Sequence, residues 1–179
     1  MTNQALPASY TGILKVLIRY AIAMAIFGIL IGIAYQESAQ KLTHEMAPDG
    51  VRLQAVLPLA LVHGHVFTMG VLLPLALAGA LVLSLKVGAS AMGNRMLATL
   101  KWGFLPFATA SIALQLFKGY FILLTVRSGQ VDMGAVDAAF MAGATTLRYI
   151  VYGVVHSGMG ISLVIFLVGL WRSLGKRSA

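Results

Sequence analysis

The chain lacks cysteine and has few charged residues. None of its 179 residues is cysteine, and Asp, Glu, Lys and Arg together make up 10%. Without thiols it cannot form disulfides, thioether-linked c-type haem, iron–sulfur clusters or cysteine-ligated zinc sites. Hydrophobic residues make up 59% of the sequence, against roughly 45–50% in typical soluble domains. A soluble core of this size could not bury so much apolar surface, so the composition predicts an integral membrane protein.

Four long apolar segments account for this composition, at residues 17–35, 57–83, 102–126 and 149–171. Each is long enough to cross a hydrocarbon layer of about 30 Å, which takes roughly 20 residues of helix. We therefore expect an all-α fold, a single domain over residues 1–179 that forms an up-down-up-down bundle of four transmembrane helices. The expected helices cover about 12–36, 53–84, 98–127 and 138–172. The third loop, residues 128–147, is rich in small residues and is expected to hold a short helix at the membrane surface.

Acidic residues are few and unevenly placed. All five fall in the first and third loops: Glu37, Glu45, Asp49, Asp132 and Asp137. Eight basic residues lie on the other side, with no acid among them: Lys15, Arg19, Lys86, Arg95, Lys101, Arg172, Lys176 and Arg177. The positive-inside rule places that side, with both termini, in the cytoplasm. The basic excess thus indicates topology, and no nucleic-acid partner is expected.

Four ionisable side chains, His63, His65, His156 and Lys118, lie inside the apolar segments. Such residues are costly in lipid and usually mark functional sites. Counted from the flanking charges at about 1.5 Å per residue, His65, His156 and Lys118 share one depth in the outer half of the bilayer. His63 and His65 are two residues apart and point to nearly opposite sides of a helix. We assign His65 to the bundle interior and His63 to a hydrogen bond with a neighbouring helix, whereas His44 is a solvated loop residue.

Helices two and four run in the same direction and would face each other across the bundle, leaving room for one metal atom between two imidazoles. We therefore predict a haem with His65 and His156 as axial ligands, His63 being the second choice on helix two. Met69 and Tyr152 lie one turn from these histidines. Nearby glycines would leave room for the macrocycle: Gly28, Gly32, Gly64, Gly153 and Gly160. Copper held by His and Met side chains, or histidines that only form hydrogen bonds, are the alternatives.

Two further patterns each have two interpretations. Ala21, Ala25, Gly28 and Gly32 form a small-residue face on helix one, which would admit either a neighbouring helix, the preferred interpretation, or a flat ligand. Ser111, Gln115, Lys118 and Thr125 form a polar stripe on helix three. Lys118 in this stripe would pair with a haem propionate or a quinone carbonyl, or would extend its ammonium group to the outer interface.

The segment from His63 to Gly70, with the pattern His-x-His-x4-Gly, resembles a family of small bacterial four-helix membrane proteins of unassigned function. The segments from Gly32 to Glu37 and from Gly153 to Gly160 are similar to that family too. The segment from His63 to Gly70 is also distantly similar to the helix of haem–copper oxidases and nitric oxide reductases that ligates a low-spin haem b. The resemblance implies a haem b protein of the bacterial cytoplasmic membrane. The chain lacks the further histidines of a second haem–metal centre, which argues against terminal reductase activity.

Two classes of function remain. The first is a haem b membrane protein in electron transfer or in haem or gas sensing, with a redox partner or a quinone. The second is a non-redox membrane component, either an assembly partner or a transporter of metals or small molecules, whose histidines are structural. The sequence shows no serine–histidine–acid set, phosphate-binding loop or His-Glu-x-x-His motif. Whether the chain is an enzyme, and whether it forms a homo-oligomer, stays open.

Overall fold

The computed structural model describes residues 6–175, and this part of the chain is all-helical. The helices are α1 (Ala8–Gln40), α2 (Asp49–Lys86), α3 (Asn94–Arg127), α4 (Met133–Ala139) and α5 (Thr145–Leu174). α1, α2, α3 and α5 are each long and apolar enough to cross a membrane. The expected short helix of the third loop is confirmed as α4, and α5 begins at Thr145 rather than near residue 138. Lys176 and Arg177, which entered the topology prediction, lie outside the described residues.

α2 and α3 each contain a π-helical segment, Val66–Leu72 in α2 and Leu100–Phe104 in α3. A proline follows each segment closely, Pro74 in the first case and Pro106 in the second. A proline inside a helix lacks an N–H group, and its ring crowds the carbonyl four residues earlier. Wider π turns are one way to accommodate this defect while the backbone stays hydrogen-bonded. Both helices therefore continue through their prolines.

Two buried clusters determine which loops lie together. One joins the start of α1 to the second loop, the start of α3 and the end of α5, through Tyr10, Met92, Phe104 and Phe166. In it the backbone N–H of Met92 donates to the Tyr10 hydroxyl at 2.8 Å. The other cluster joins the first loop, α2, α3 and α4: Leu42, Ala47, Leu59, Leu123 and Val136. We name the first the basic end of the bundle and the second the carboxylate end, after the charged residues of their loops.

α5 is packed less closely than the other long helices. Only 6% of its most apolar stretch of 18 residues is buried, against 28–33% of the corresponding stretches of the other three long helices. Phe166 anchors α5 in the core at the basic end. The main contacts of α5 with α2 are with the segment Leu73–Lys86. Toward the carboxylate end α5 packs on α3 instead. A groove therefore opens between α2 and α5, with α3 as its floor.

Two glycines of α1 let α2 approach closely. A Cβ added to Gly28 would lie 2.8 Å from the ring of Phe67, and one added to Gly32 would lie 2.8 Å from the ring of His63. Both distances are shorter than real Cβ contacts, so a larger residue at either position would force the facing ring of α2 to shift. The small-residue face of α1 is thus a helix-packing surface, as the preferred interpretation had it. The space beside both glycines is filled by α2 side chains, away from the groove between α2 and α5.

We predict that Gly28→Leu destabilises the bundle by about 1–3 kcal/mol, because the larger side chain overpacks the contact with Phe67 and Val66. The thermal unfolding midpoint of the detergent-purified protein measures the effect. Gly12→Leu is the matched control on the same helix, since nothing lies within 4 Å of a Cβ there. Equal midpoints for the two variants would contradict the close α1–α2 contact.

Candidate functional site

The groove between α2 and α5 has a volume of about 430 Å³, within the range of roughly 300–1,000 Å³ typical of ligand sites. Its wall area is mainly apolar, although five of its ten lining side chains carry a polar group. The lining residues are Gln54, Leu57, Pro58, Leu61 and His65 of α2, Gln115, Lys118 and Ile122 of α3, Met133 of α4, and Tyr152 of α5. Three predicted site residues, His65, Lys118 and Tyr152, are therefore brought together.

His65 has one ring nitrogen held by the protein and the other free. Its Nδ1–H donates to the Leu61 carbonyl, one turn earlier on α2, at 2.7 Å. The carbonyl can only accept, so in the neutral ring the proton is on Nδ1 and the Nε2 lone pair is available. No described residue forms a hydrogen bond with Nε2. His65 lines the groove, and in this tautomer Nε2 is the ring nitrogen that remains able to accept a hydrogen bond or to ligate a metal.

His156 has the same Nδ1 arrangement on α5. Its Nδ1–H donates to the Tyr152 carbonyl at 2.9 Å, and its ring lies nearly parallel to the Tyr152 ring. In this tautomer Nε2 accepts from the Ser111 hydroxyl at 3.3 Å, and Gln115 donates to the same Ser111 oxygen at 3.4 Å. His156 is therefore linked through the polar stripe of α3 to Gln115, a lining residue of the groove. Its ring is exposed, one turn from Tyr152, and is not itself part of the groove wall.

His63 points away from the groove, toward α1. Its Nδ1–H donates to the Gly28 carbonyl at 3.0 Å, and its ring meets the Phe67 ring edge-on. The expected hydrogen bond to a neighbouring helix is confirmed, and so are the opposite orientations of His63 and His65. His44 is an exposed loop residue, with Nδ1 2.7 Å from the Asp49 carboxylate.

Lys118 has a protein partner that sequence reasoning missed. Its Nζ lies 2.9 Å from Asp137 Oδ1, and Arg148 donates to Asp137 Oδ2, also at 2.9 Å. Asp137 is on α4, and a left-handed turn through Met141 and Ala142, both at φ 55°, returns the chain to α5. Residues other than glycine adopt this conformation rarely, so the sequence did not predict this turn. The result is an ion-pair cluster at the carboxylate end of the groove.

The remaining predicted site residues are dispersed. Met69 lies in the π segment and packs against the buried cluster of the basic end, outside the groove. The Tyr152 hydroxyl donates to the Leu114 carbonyl at 3.1 Å and so fixes α5 against α3. Thr125, at the end of the polar stripe, donates to the Phe121 carbonyl of its own helix. Gly28 and Gly32 belong to the α1–α2 contact described above.

The ion pairs of Asp137 make the stability of the protein depend on pH. The hydrogen bond from Lys118 is the main cause that lowers the pKa of Asp137, while partial burial opposes it and Arg148 adds to the lowering. A lowered pKa in the folded state means that the stabilisation is complete above the ordinary pKa of aspartate. It is lost as the pH falls through the lowered value. Asp137→Asn removes this contribution at every pH.

We therefore predict that wild type melts at a higher temperature than Asp137→Asn at pH 7, and that the difference shrinks as the pH is lowered below 4. Thermal unfolding at a series of pH values, in one detergent and at one ionic strength, measures the difference. Asp132→Asn is the control, because Asp132 caps α4 through the N–H groups of Gly134 and Ala135 and asparagine caps equally well. A wild-type advantage that stays constant down to pH 2 would contradict the assignment.

Comparison with protein-family models, with curated proteins and with solved structures found no match to this chain. The resemblance of the segment from His63 to Gly70 to small bacterial four-helix membrane proteins therefore stays a prediction from the motif.

Proposed function

We propose that this chain is an integral membrane protein that binds haem b in the groove between α2 and α5, with His65 and His156 as axial ligands. The observation that carries the proposal is the state of these two imidazoles. Each donates its Nδ1–H to the carbonyl four residues earlier on its own helix, which orients the ring. Nε2 has no described partner in His65 and accepts from the Ser111 hydroxyl in His156. His65 lines the groove, whereas His156 lies one turn from Tyr152, outside the groove wall, so its ring would have to leave Ser111 and turn into the groove to ligate a haem there.

The residues present fit a haem in further ways. The groove walls are mainly apolar by area, which suits the macrocycle. Gly64 and Gly153 are exposed and do not line the groove. Lys118 and Arg148 supply two cations near one carboxylate, which suits the propionates of a haem. Ligation by His156 would replace its long hydrogen bond with Ser111. A bound haem supplies reversible one-electron chemistry or gas binding, so the proposed role is electron transfer, with a redox partner or quinone, or sensing.

A copper site is the weaker alternative. The described residues contain no group of three His, Cys, Asp or Glu side chains placed to hold a metal ion. Met69, the methionine nearest to His65 in sequence, packs in the core of the basic end. Two histidines suffice for a haem iron, because the porphyrin supplies its other four ligands.

A non-redox membrane component is the second candidate function. It is favoured by the hydrogen bonds that His63 and His156 already make with α1 and α3, which would be enough to explain them as structural residues. His65 does not fit this explanation equally well, because its Nε2 has no partner among the described residues. A colourless protein from haem-replete cells would favour this second candidate.

The absorption spectrum of detergent-purified protein, oxidised and reduced with dithionite, tests the haem proposal. Two imidazole ligands should give a six-coordinate low-spin haem with split α and β bands on reduction. His65→Ala or His156→Ala should open a coordination position, with a high-spin spectrum, carbon monoxide binding or loss of haem. The expected haem content is one per chain in the wild type.

His63→Ala and His44→Ala are the matched controls for this experiment. Neither side chain lines the groove, so both variants should keep the low-spin spectrum. His63→Ala should lower the thermal midpoint only, because it removes an interhelical hydrogen bond worth about 0.6 kcal/mol on average in membrane helices. A spectrum that survives His65→Ala and collapses in His63→Ala would move the site to the α1 side of α2.

We propose further that the four long helices cross the bacterial cytoplasmic membrane in alternating directions, with the basic end in the cytoplasm. The two buried clusters support this. One groups the first loop with the third, and the other groups the second loop with the start of α1 and the end of α5. Lys15, Lys86 and Arg172 are examples of the basic residues at the end without acids.

Reporter fusions test this orientation. A reporter that works only outside the cytoplasm should be inactive when it is fused after Ala179 and active when it is fused after Lys41. A reporter that works only in the cytoplasm should give the opposite result at the same two positions. Activity of the external reporter after Ala179 would reverse the proposed orientation.

A further inference from the structure

The carboxylate end of the groove is closed by a segment of the third loop. Met133 of α4 lines the groove, and Asp137 of the same helix holds Lys118, another lining residue. α4 is therefore attached to the groove wall by an ion pair whose cation also faces the ligand space. Lys118 is thus both a partner of Asp137 and a lining residue of the groove, and its side chain is 34% exposed.

α4 has a second attachment that does not involve Lys118. Arg148 donates to the backbone carbonyl of Asp137 as well as to its carboxylate, both at 2.9 Å. If the carboxylate moved away from Lys118, the bond from Arg148 to the backbone would still hold α4 in place. The cluster contains two cations and one carboxylate, so it can accept one more anionic group.

We propose that Asp137 occupies the position of a ligand carboxylate, and that a carboxylate-bearing amphiphile displaces it from Lys118 when it enters the groove. This inference rests on the proposed function and specifies its ligand class: a flat apolar body with a carboxylate at the carboxylate end of the bundle. A partly buried ammonium group without a counter-charge is costly, so Lys118 keeps one carboxylate partner in either state. Charge-assisted hydrogen bonds of this kind are among the stronger ones in proteins. Asp137 thus competes with the ligand and sets its affinity.

Binding of two fluorescent probes to the full-length protein in detergent tests the proposal. Metal-free protoporphyrin IX has two carboxylates and no iron, and its dimethyl ester has the same ring with no free carboxylate. Wild type should bind the acid more tightly than the ester, but by less than the roughly tenfold expected for one charge-assisted hydrogen bond. The ligand carboxylate replaces Asp137 at Lys118, so only the attraction of the remaining positive charge of the cluster is gained. Since neither probe contains iron, axial ligation plays no part in this preference.

Three variants separate the roles of the residues. Asp137→Asn should bind the acid about tenfold more tightly than wild type does, because the competing carboxylate is gone, and should bind the ester unchanged. Lys118→Gln should bind acid and ester equally, whereas Lys118→Arg should keep the preference. Asp132→Asn is the matched control, with the same charge change on α4 but no contact with either cation. It should behave as wild type.

Several results would overturn the proposal. Equal affinity of wild type for acid and ester would show that the groove does not recognise a carboxylate. Weaker or unchanged binding of the acid by Asp137→Asn, with the Asp132→Asn control behaving as wild type, would show that Asp137 does not compete. If Asp137→Asn fails to fold, Lys118→Gln and Lys118→Arg still decide whether Lys118 recognises the carboxylate. A low-spin haem spectrum without any acid preference would overturn this inference alone. An acid preference without a low-spin haem spectrum would overturn the haem assignment alone.

Discussion

Apolar surroundings provide no hydrogen-bond partners, and this constraint explains most polar contacts of the long helices. Among the described residues no buried side-chain nitrogen or oxygen lacks a partner. His63, His65 and His156 each donate Nδ1–H to a backbone carbonyl, and the Thr68 hydroxyl donates to the carbonyl of Gly64. The same bonds that satisfy the polar groups orient the imidazole rings. Satisfying the constraint at Nδ1 of His65 therefore leaves Nε2 as its unprotonated ring nitrogen, without a described partner.

The groove follows from how α5 packs. A helix in lipid gains little from apolar contacts with its neighbours, so close packing and hydrogen bonds decide where it associates. α5 has these at its basic end, where Phe166 is buried, and along α3, where Tyr152 and His156 form hydrogen bonds with Leu114 and Ser111. No comparable packing contact holds α5 against the first half of α2. The opening beside His65 is the consequence.

Periodicity and hydropathy predicted the features that depend on one helix at a time. The four long helices follow from the apolar segments, and the opposite directions of His63 and His65 follow from the turn of a helix. The sequence could not predict which side chains fill the space beside Gly28 and Gly32, because that depends on the register between α1 and α2. Nor could it predict the partner of Lys118, because the position of Asp137 depends on how α4 packs against α3.

The pairing of Lys118 with Asp137 also bears on how the groove can exist without a ligand. In the proposed membrane setting a lysine at this depth must either reach the interface or find a counter-charge. Asp137 provides the counter-charge from a loop helix, so the ammonium group is paired within the chain itself. Arg148 keeps the cluster net positive, so that the neutralisation does not remove the attraction for a second anion. A site with one cation and one carboxylate would be stable when empty but would have no remaining charge to attract an acidic ligand.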